Sequence, residues 1–268
     1  PLCLEWKLME LIINTNPCIP VSVVTGASEG IGRAYAFAVS DLYNVQYVAD
    51  PTFSLSIGDK TGRSVKVIVT DFVKENVFGE IEDQLKDLSI GVLVNNVGIL
   101  PSFIPCKFLE CAELDQVSGA SACKTKIVFC LCLSRGKGVI LNISSGIASI
   151  PFPLYTLYAS SKVFVERFSR GLQIEYEDKG IIIQVLAVAP FGVSTRMAGY
   201  QKTNLVTLSP EDFVKHSLQY LKAGDKTFGS VHHIILVRLT YNHLMIFPLF
   251  TCLIVDLLLL THLLHLIV

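Results

Sequence analysis

A serine, a tyrosine and a lysine in one stretch of the chain have the types and spacing needed to move a proton onto a carbonyl. Tyr158 and Lys162 are four residues apart, which places both side chains on one face of a helix. Ser145 directly follows the apolar run "GVILNIS", which is typical of a buried strand. Two hydroxyls can polarise a carbonyl, and a nearby ammonium lowers the pKa of a phenol. These three residues predict a site for carbonyl reduction, although a tyrosine and lysine at this spacing also occur by chance.

A glycine-rich segment predicts a second feature, a loop that holds phosphate. "TGASEGIG" follows the apolar run "VSVVT" and precedes a helical pattern, and it contains Gly26, Gly30 and Gly32. Close approach of the backbone to a pyrophosphate requires residues without side chains, and the N–H groups at the start of the helix attract the negative charge. Glycines also serve tight turns, so the position between strand and helix carries this interpretation.

The elements that must position these residues alternate between strand and helix. Such alternation is typical of an α/β fold with a doubly wound parallel sheet, in which ligands bind at the carboxyl ends of the strands. We expect a single domain over residues 20–232, preceded by an N-terminal lead (1–19) and followed by a hydrophobic tail (233–268). The six expected strands are "VSVVT", "NVQYV", "SVKVIVTDF", "IGVLVNNVG", "GVILNIS" and "IIIQVLAVAP".

Polar residues lie at several of these strand ends. Asp71 could accept a hydrogen bond from an adenine amino group, or it could cap the following helix. Asn95 and Asn96 could be turn residues, but their position in "NNVG" favours contact with a cofactor. Tyr155 could line a substrate pocket or pack a loop, and we interpret Ser144 as structural.

Composition excludes some classes and raises one further expectation. The 268 residues carry a net charge of −1, which gives no reason to expect a nucleic-acid partner. The eight cysteines and six histidines show no spacing typical of a metal site or a disulfide framework. Residues 244–268 contain no Lys or Arg, and Asp256 is their only acid. This stretch could cross a membrane, lie in its surface, cover the domain or form a buried helix.

Taken together, these motifs resemble the short-chain dehydrogenase/reductase family over about residues 21 to 230. The resemblance rests on "VTGASEGIGRAYAF", "TGRSVKVIVTDF", "GVLVNNVGILPSF", "LNISSGIASIPFPLY" and "IIIQVLAVAPFGVSTRM". Within the family, these fragments are similar to the 17-beta-hydroxysteroid dehydrogenase and very-long-chain 3-oxoacyl-CoA reductase branches. The resemblance implies a Rossmann fold and an NADP(H)-dependent oxidoreductase.

The resemblance also implies a role for each matching residue. Tyr158 would be the catalytic acid and base, Lys162 would bind the nicotinamide ribose, and Ser145 would orient the substrate carbonyl beside Tyr155. Val193 and Thr195 would contact the carboxamide. The cofactor-binding set implied in full is Gly26, Ser28, Gly30, Ile31, Gly32, Asp50, Asp71, Asn95, Gly98, Tyr158, Lys162, Pro190, Val193 and Thr195.

Two departures from the family pattern bear on activity. Asp50 stands where the family has an arginine for the 2′-phosphate of NADP, and a carboxylate there would favour the free ribose of NAD(H). Asp50 could instead begin a turn with Pro51. No asparagine occurs between Val97 and Leu141, where the family carries one in its proton relay, and the segment is shortened. A catalytically impaired relative that acts as a binding module is therefore an alternative.

The sequence favours a membrane-associated reductase of the endoplasmic reticulum that converts a ketone on a lipophilic substrate to a hydroxyl. A 17-ketosteroid is the first expectation for the substrate and a very-long-chain 3-oxoacyl-CoA the second. A soluble dehydrogenase of small polar substrates is disfavoured by the apolar tail. A homodimer is one arrangement that this reading allows.

Overall fold

The computed structural model describes residues 21–40, 45–48, 65–70, 77–98, 100, 107–110, 138–179, 181–188, 192–220 and 226–246. They form one parallel sheet with helices on both faces.

The sheet is built from seven strands within the described part of the chain. Its strands run in the spatial order β3-β2-β1-β4-β5-β6-β7, and every neighbouring pair is parallel. The order reverses between β1 and β4, which makes the crevice above these two strands the expected ligand site. The strands are β1 (Val21–Thr25), β2 (Val45–Val48), β3 (Val65–Val67), β4 (Ile90–Asn95), β5 (Gly138–Ser145), β6 (Ile181–Val188) and β7 (Lys226–Thr227).

Helices and short 3₁₀ turns connect and cover the strands. The α-helices are α1 (Gly30–Ser40), α2 (Val77–Leu85), α3 (Thr156–Glu175), α4 (Pro210–Gln219) and α5 (Val231–Ile246). The 3₁₀ turns span Phe108–Glu110, Gly146–Ser149, Glu177–Lys179 and Arg196–Ala198.

Alternation along the strands sends successive side chains to opposite faces of the sheet. Val24 and Val94 belong to an apolar cluster that includes residues of α1 and α4. Val23 and Leu93, one residue earlier on the same strands, belong to a second cluster with α2 and α3. Both strands are therefore buried on both faces, as parallel strands covered by helices must be.

Local chemistry defines the start of α4 and its contact with α1. The hydroxyl of Ser209 accepts a hydrogen bond from the N–H of Asp212 at 3.0 Å, and Pro210 occupies the first turn. At the other end of α4, the hydroxyls of Tyr35 and Ser217 lie 2.5 Å apart, and both side chains are buried. This bond fixes α1, the helix that follows the glycine loop, against α4.

The doubly wound parallel sheet predicted from the sequence is confirmed. The two-residue strand β7 and the helix α5 were not predicted. α5 spans Val231–Ile246, and His233 and Val237 of this helix are buried. Residues 247–268 lie outside the described residues. Among the described helices, none combines the length and the apolar character that crossing a membrane requires.

Candidate active site

A cavity of about 470 Å³ opens at the carboxyl ends of β1, β4, β5 and β6. Parallel strands converge at this edge, so residues distant in sequence meet there. The wall brings together most of the predicted site residues. Those that line it are Gly26, Ser28, Gly30, Ile31, Gly98, Ser145, Tyr155, Tyr158, Lys162, Val193 and Thr195.

The glycine loop adopts a backbone that other residues rarely reach. Gly26 and Gly30 have φ angles of +66° and +57°, in the left-handed region that glycine enters at little cost. A β-carbon on Gly32 would overlap the carbonyl of Gly26 and come within 2.5 Å of the Asn96 amide. Gly32 therefore does not line the cavity, and its missing side chain instead lets α1 approach the end of β1.

Hydrogen bonds fix the glycine loop to the end of β4. The hydroxyl of Thr25 accepts from the N–H groups of Asn96 and Val97, at 3.0 and 3.2 Å. The side-chain amide of Asn96 in turn donates to the carbonyls of Thr25 and Gly26, at 3.2 and 3.3 Å. These bonds hold the two loops on either side of the crevice in one arrangement.

Tyr158 extends from the first turn of α3, and its hydroxyl is enclosed although part of the side chain reaches solvent. Burial raises the pKa of this phenol to about 12, and a hydrogen bond with the Ser145 side chain acts in the opposite direction. The phenol is thus a protonated acid at neutral pH, and it lies next to a hydroxyl that stabilises its ionised form.

Lys162 lies one turn further along α3 and is almost fully buried, at 6% exposure. Its ammonium donates to the carbonyl of Ile143 at 3.0 Å and lies 5.5 Å from the centre of the Tyr158 ring. A β-carbon on Gly98 would lie 3.4 Å from the same Nζ atom. The positive charge is therefore kept between β5, the β4 loop and the phenol.

The strand end that carries Ser145 is fixed through the preceding residue. Ser144 is buried, and its hydroxyl donates to the Glu166 carboxylate at 3.0 Å and to the Lys162 carbonyl at 3.2 Å. Lys226 forms an ion pair with Glu166 at 2.7 Å and donates to Ser149 at 3.0 Å. Ser144 borders the cavity, but these bonds support its predicted structural role.

The loop after β6 forms the opposite wall. Its backbone pairs with Leu208: the N–H of Ser194 donates to the Leu208 carbonyl, and the N–H of Leu208 donates to the Gly192 carbonyl, both at 2.9 Å. The same loop carries Arg196, which forms an ion pair with Glu29 of the glycine loop at 2.7 Å. This exposed pair spans the cavity mouth.

Not every predicted residue faces the cavity. The amide of Asn95 donates to Asn142 at 2.7 Å, and Asn142 donates to Ser169 at 2.8 Å, so Asn95 is engaged with β5 and α3. Its neighbour Asn96 lines the cavity in its place. The predicted cofactor residues Asp50, Asp71 and Pro190 lie outside the described residues.

Sequence reasoning missed several wall residues because nothing in their type indicates chemistry. Leu100, Ile147, Met197 and Ala198 supply apolar surface, and only the fold brings them together. Glu29 and Arg196 carry charges whose pairing depends on two loops meeting. The only sequence signals near these two residues were the glycines of "SEGIG" and the segment "TRM".

The residues present fit a nicotinamide dinucleotide. The left-handed glycines, the start of the eleven-residue helix α1 and the close packing at Gly32 form the phosphate cradle that such a group requires. The polar cluster of Tyr158, Lys162 and Ser145 lies along the same cavity. A dinucleotide held in the cradle would thus extend towards a proton donor.

A family comparison agrees with this geometry. The model for short chain dehydrogenases matches residues 20–205. The chain belongs to the short-chain dehydrogenase family. It is therefore an NAD(P)-dependent oxidoreductase.

Two groups of relatives within the family are similar to this chain. A 17-beta-hydroxysteroid dehydrogenase type 3 from Danio rerio is 51% identical over 235 residues, which cover 82% of this chain and 76% of the relative. The Homo sapiens protein of the same name is 43% identical, covering 80% and 72%. A very-long-chain 3-oxoacyl-CoA reductase from Anas platyrhynchos is 40% identical, covering 79% and 72%.

The fold is also found in solved structures. A short-chain dehydrogenase from Sphingobium yanoikuyae in complex with NADPH has a TM-score of 0.70 at 23% identity, covering 85% of this chain and 95% of that one. A bulky-bulky ketone specific alcohol dehydrogenase from Comamonas testosteroni has a TM-score of 0.69 at 24% identity, covering 85% and 94%. At this identity, the likeness establishes the fold alone.

Proposed function

We propose that this protein reduces a ketone on a lipophilic substrate with NADPH, and that the ketone is a 17-ketosteroid of the androstenedione type. The observation that carries the proposal is the convergence of Tyr158, Ser145 and Lys162 on one cavity beside the glycine cradle. The higher identity to the steroid dehydrogenases than to the acyl-CoA reductases favours the steroid.

The site residues divide the chemistry among them. A bound nicotinamide cofactor supplies the hydride. Ser145 and Tyr158 hold the carbonyl oxygen through their hydroxyls, and the Tyr158 phenol gives its proton to that oxygen as charge develops. Lys162 stabilises the phenolate that remains, because its ammonium is buried beside the ring.

The remaining cavity wall suits a rigid apolar molecule. Ile147, Met197 and Leu100 present apolar side chains on the wall that also carries Tyr155. The ring of Tyr155 packs edge-on against Phe152 with centroids 5.8 Å apart, which fixes its orientation. Burial of apolar substrate surface on this wall would supply binding free energy at about 25 cal/mol per Å².

Two lines of evidence on the cofactor disagree: the family resemblance favours NADPH, and the residue Asp50 favours NADH. NADPH is favoured by the family resemblance, whereas Asp50 would repel a 2′-phosphate and accept a hydrogen bond from a free hydroxyl. We expect Asp50→Arg to raise kcat/KM with NADPH relative to NADH. An unchanged ratio would remove Asp50 as the selecting residue.

A substrate assay on membranes containing the full chain tests the proposed function. Androstenedione and a very-long-chain 3-oxoacyl-CoA are each incubated with NADPH or NADH, and the hydroxyl product is quantified. Turnover of the steroid in preference to the acyl-CoA is expected. Preference for the acyl-CoA would establish the reductase of fatty-acid elongation, which the 40% identical relative favours.

The chain has no asparagine between Val97 and Leu141, where the family carries one in its proton relay. The assay therefore has a third outcome, in which the chain is inactive. If neither substrate is reduced with either cofactor although NADPH binds, the chain is an impaired relative acting as a binding module. Membranes that carry Tyr158→Phe in the same background provide the blank for this assay.

We further propose that the protein is associated with the endoplasmic reticulum membrane and forms a homodimer. The membrane proposal is supported by residues 244–268, which contain no Lys or Arg and one acid. The full chain should stay in the membrane pellet after alkaline extraction, and a chain ending at residue 243 should be released. Release of both would contradict the membrane proposal, and a monomeric mass in mild detergent would contradict the dimer.

A further inference from the structure

The fully buried His233 is an ionisable group that the proposed chemistry does not use. It lies in the first turn of α5 and has 0% exposure. The hydroxyl of Ser230, just before the helix, accepts a hydrogen bond from the His233 N–H at 3.2 Å, so the position of the residue is set by the helix start. His233 does not line the cavity, and a buried polar side chain requires a hydrogen-bond partner.

That partner is the loop that forms one wall of the cavity. The Nε2 atom of His233 lies 2.9 Å from the carbonyl oxygen of Gly192. A carbonyl only accepts hydrogen bonds, so the proton is on Nε2. Burial lowers the pKa of His233, and hydrogen bonds with the backbone of Gly192 and of Phe228 act in the opposite direction.

The same contact explains why residue 192 is a glycine. A β-carbon at this position would come within 2.5 Å of Nε2 and 3.0 Å of the neighbouring ring carbon. On the other side, the imidazole packs against Phe213 of α4, with ring centroids 5.2 Å apart. His233 is therefore enclosed between α4 and the loop, and its Nε2–H is directed at the Gly192 carbonyl.

The position of this hydrogen bond links it to the cofactor side of the cavity. Val193 and Thr195, which follow Gly192, line the cavity, and a β-carbon on Gly30 would lie 3.1 Å from the Thr195 side chain. The Gly192 carbonyl has two donors, the N–H of Leu208 and the His233 ring. The Leu208 N–H joins the loop to the neighbouring segment of backbone, and the His233 ring joins it to α5.

We propose that His233 is a positioning residue for cofactor binding, which sets the wall formed by Val193 and Thr195 through the carbonyl of Gly192. The inference rests on the proposed use of a nicotinamide cofactor but not on the identity of the ketone. Loss of the donor frees the loop to move away from the glycine cradle. Cofactor affinity should then fall, while the KM of the ketone at saturating cofactor stays unchanged.

The test compares two substitutions in the full chain by following the fluorescence of NADPH as it binds. His233→Met keeps the bulk and removes the donor, so we expect about three- to tenfold weaker NADPH binding. His233→Gln retains an N–H donor and should restore most of the affinity. His232→Met is the matched control, because the neighbouring side chain is exposed. Wild-type affinity in His233→Met, or equal loss in both His233 variants, would overturn the proposal.

A second substitution keeps the test decisive if His233→Met does not fold. Gly192→Ala leaves the histidine in place, but its β-carbon would lie 2.5 Å from Nε2 and displace the hydrogen bond, so NADPH binding should weaken. Unchanged binding in Gly192→Ala would contradict the proposal. Because the readout is NADPH binding, a chain that binds cofactor but reduces no ketone would refute the proposed function and leave this inference standing.

Discussion

The ammonium of Lys162 lies 5.5 Å from the centre of the Tyr158 ring and donates a hydrogen bond to the carbonyl of Ile143 at 3.0 Å. The two residues are one turn apart on α3, so the helix sets their separation and the strand β5 sets the direction of the ammonium. This relationship places a buried positive charge beside a phenol whose pKa burial raises to about 12.

Removal of that charge should slow catalysis. In Lys162→Met, the phenolate of Tyr158 loses the neighbouring cation and its pKa rises further, so we expect kcat to fall by about 10²-fold. Lys162→Arg keeps a positive charge and should retain more activity than the Met variant. Steady-state rates of both variants at saturating cofactor provide the measurement, and equal rates in wild type and Lys162→Met would contradict the assigned role.

Ser145 should control the pH dependence of the reverse reaction, oxidation of the alcohol. That direction requires ionised Tyr158, so its rate rises with pH until the phenol is deprotonated. The hydrogen bond with Ser145 lowers the pKa of Tyr158, and its removal in Ser145→Ala raises this pKa. The rising limb of the oxidation profile should therefore move to higher pH, together with a lower maximal rate.

The matched control for this prediction is Ser160→Ala on α3, the helix that carries Tyr158. Its hydroxyl is exposed and donates to the Thr156 carbonyl at 2.8 Å, away from the phenol. Its profile should coincide with that of the wild type. A movement of the Ser145→Ala limb to lower pH would show that the hydrogen bond does not favour the phenolate.

The packing of the glycine loop predicts a contrast between two glycine substitutions. Gly32→Ala introduces a β-carbon that overlaps the Gly26 carbonyl, so α1 must shift and cofactor binding should be lost. Gly171→Ala adds a methyl group to α3 where nothing lies within 4 Å, and it should stabilise the fold by about 0.5–1 kcal/mol. Thermal unfolding and cofactor titration of both variants test the contrast. Retained cofactor binding in Gly32→Ala would contradict the account of the cradle.

The ion pair between Glu166 and Lys226 should affect catalysis, because Glu166 also holds Ser144 at the end of β5. Glu166→Ala removes the carboxylate that accepts from the Ser144 hydroxyl and pairs with Lys226. The end of β5 then loses this hydrogen bond to α3. We expect kcat to fall by several-fold because Ser145 is less well held, whereas Glu166→Gln, which still accepts from Ser144, should fall less. Equal kcat values in the two variants would show that the hydrogen bond to Ser144 does not matter.

The local signals in the sequence were strong enough for the fold and for the chemical centre. The run "VSVVT" predicts β1 with the bounds that it has, because a β-branched apolar run before a glycine turn has few alternatives. Tyr158, Lys162 and Ser145 were found from type and spacing because a helix and a strand end fix their directions. These signals are local and need no knowledge of the sheet order.

Features that depend on contacts distant in sequence could not be predicted. Asn95 and Asn96 are adjacent and chemically identical, and only the pairing of β4 with β5 decides that Asn95 binds Asn142 while Asn96 meets the cavity. His233 lies 41 residues from Gly192, and its neighbour His232 looks the same in the sequence. The two-residue strand β7 is too short for any periodicity.

Tyr158 is expected to supply the proton to the carbonyl of the substrate. The most direct test is single-turnover reduction of androstenedione by the full chain in membranes, with Tyr158→Phe compared with the wild type at saturating NADPH. We predict a rate about 10²- to 10⁴-fold lower in the variant, because the hydroxyl that supplies the proton is removed. Reduction at the wild-type rate by Tyr158→Phe would contradict the account.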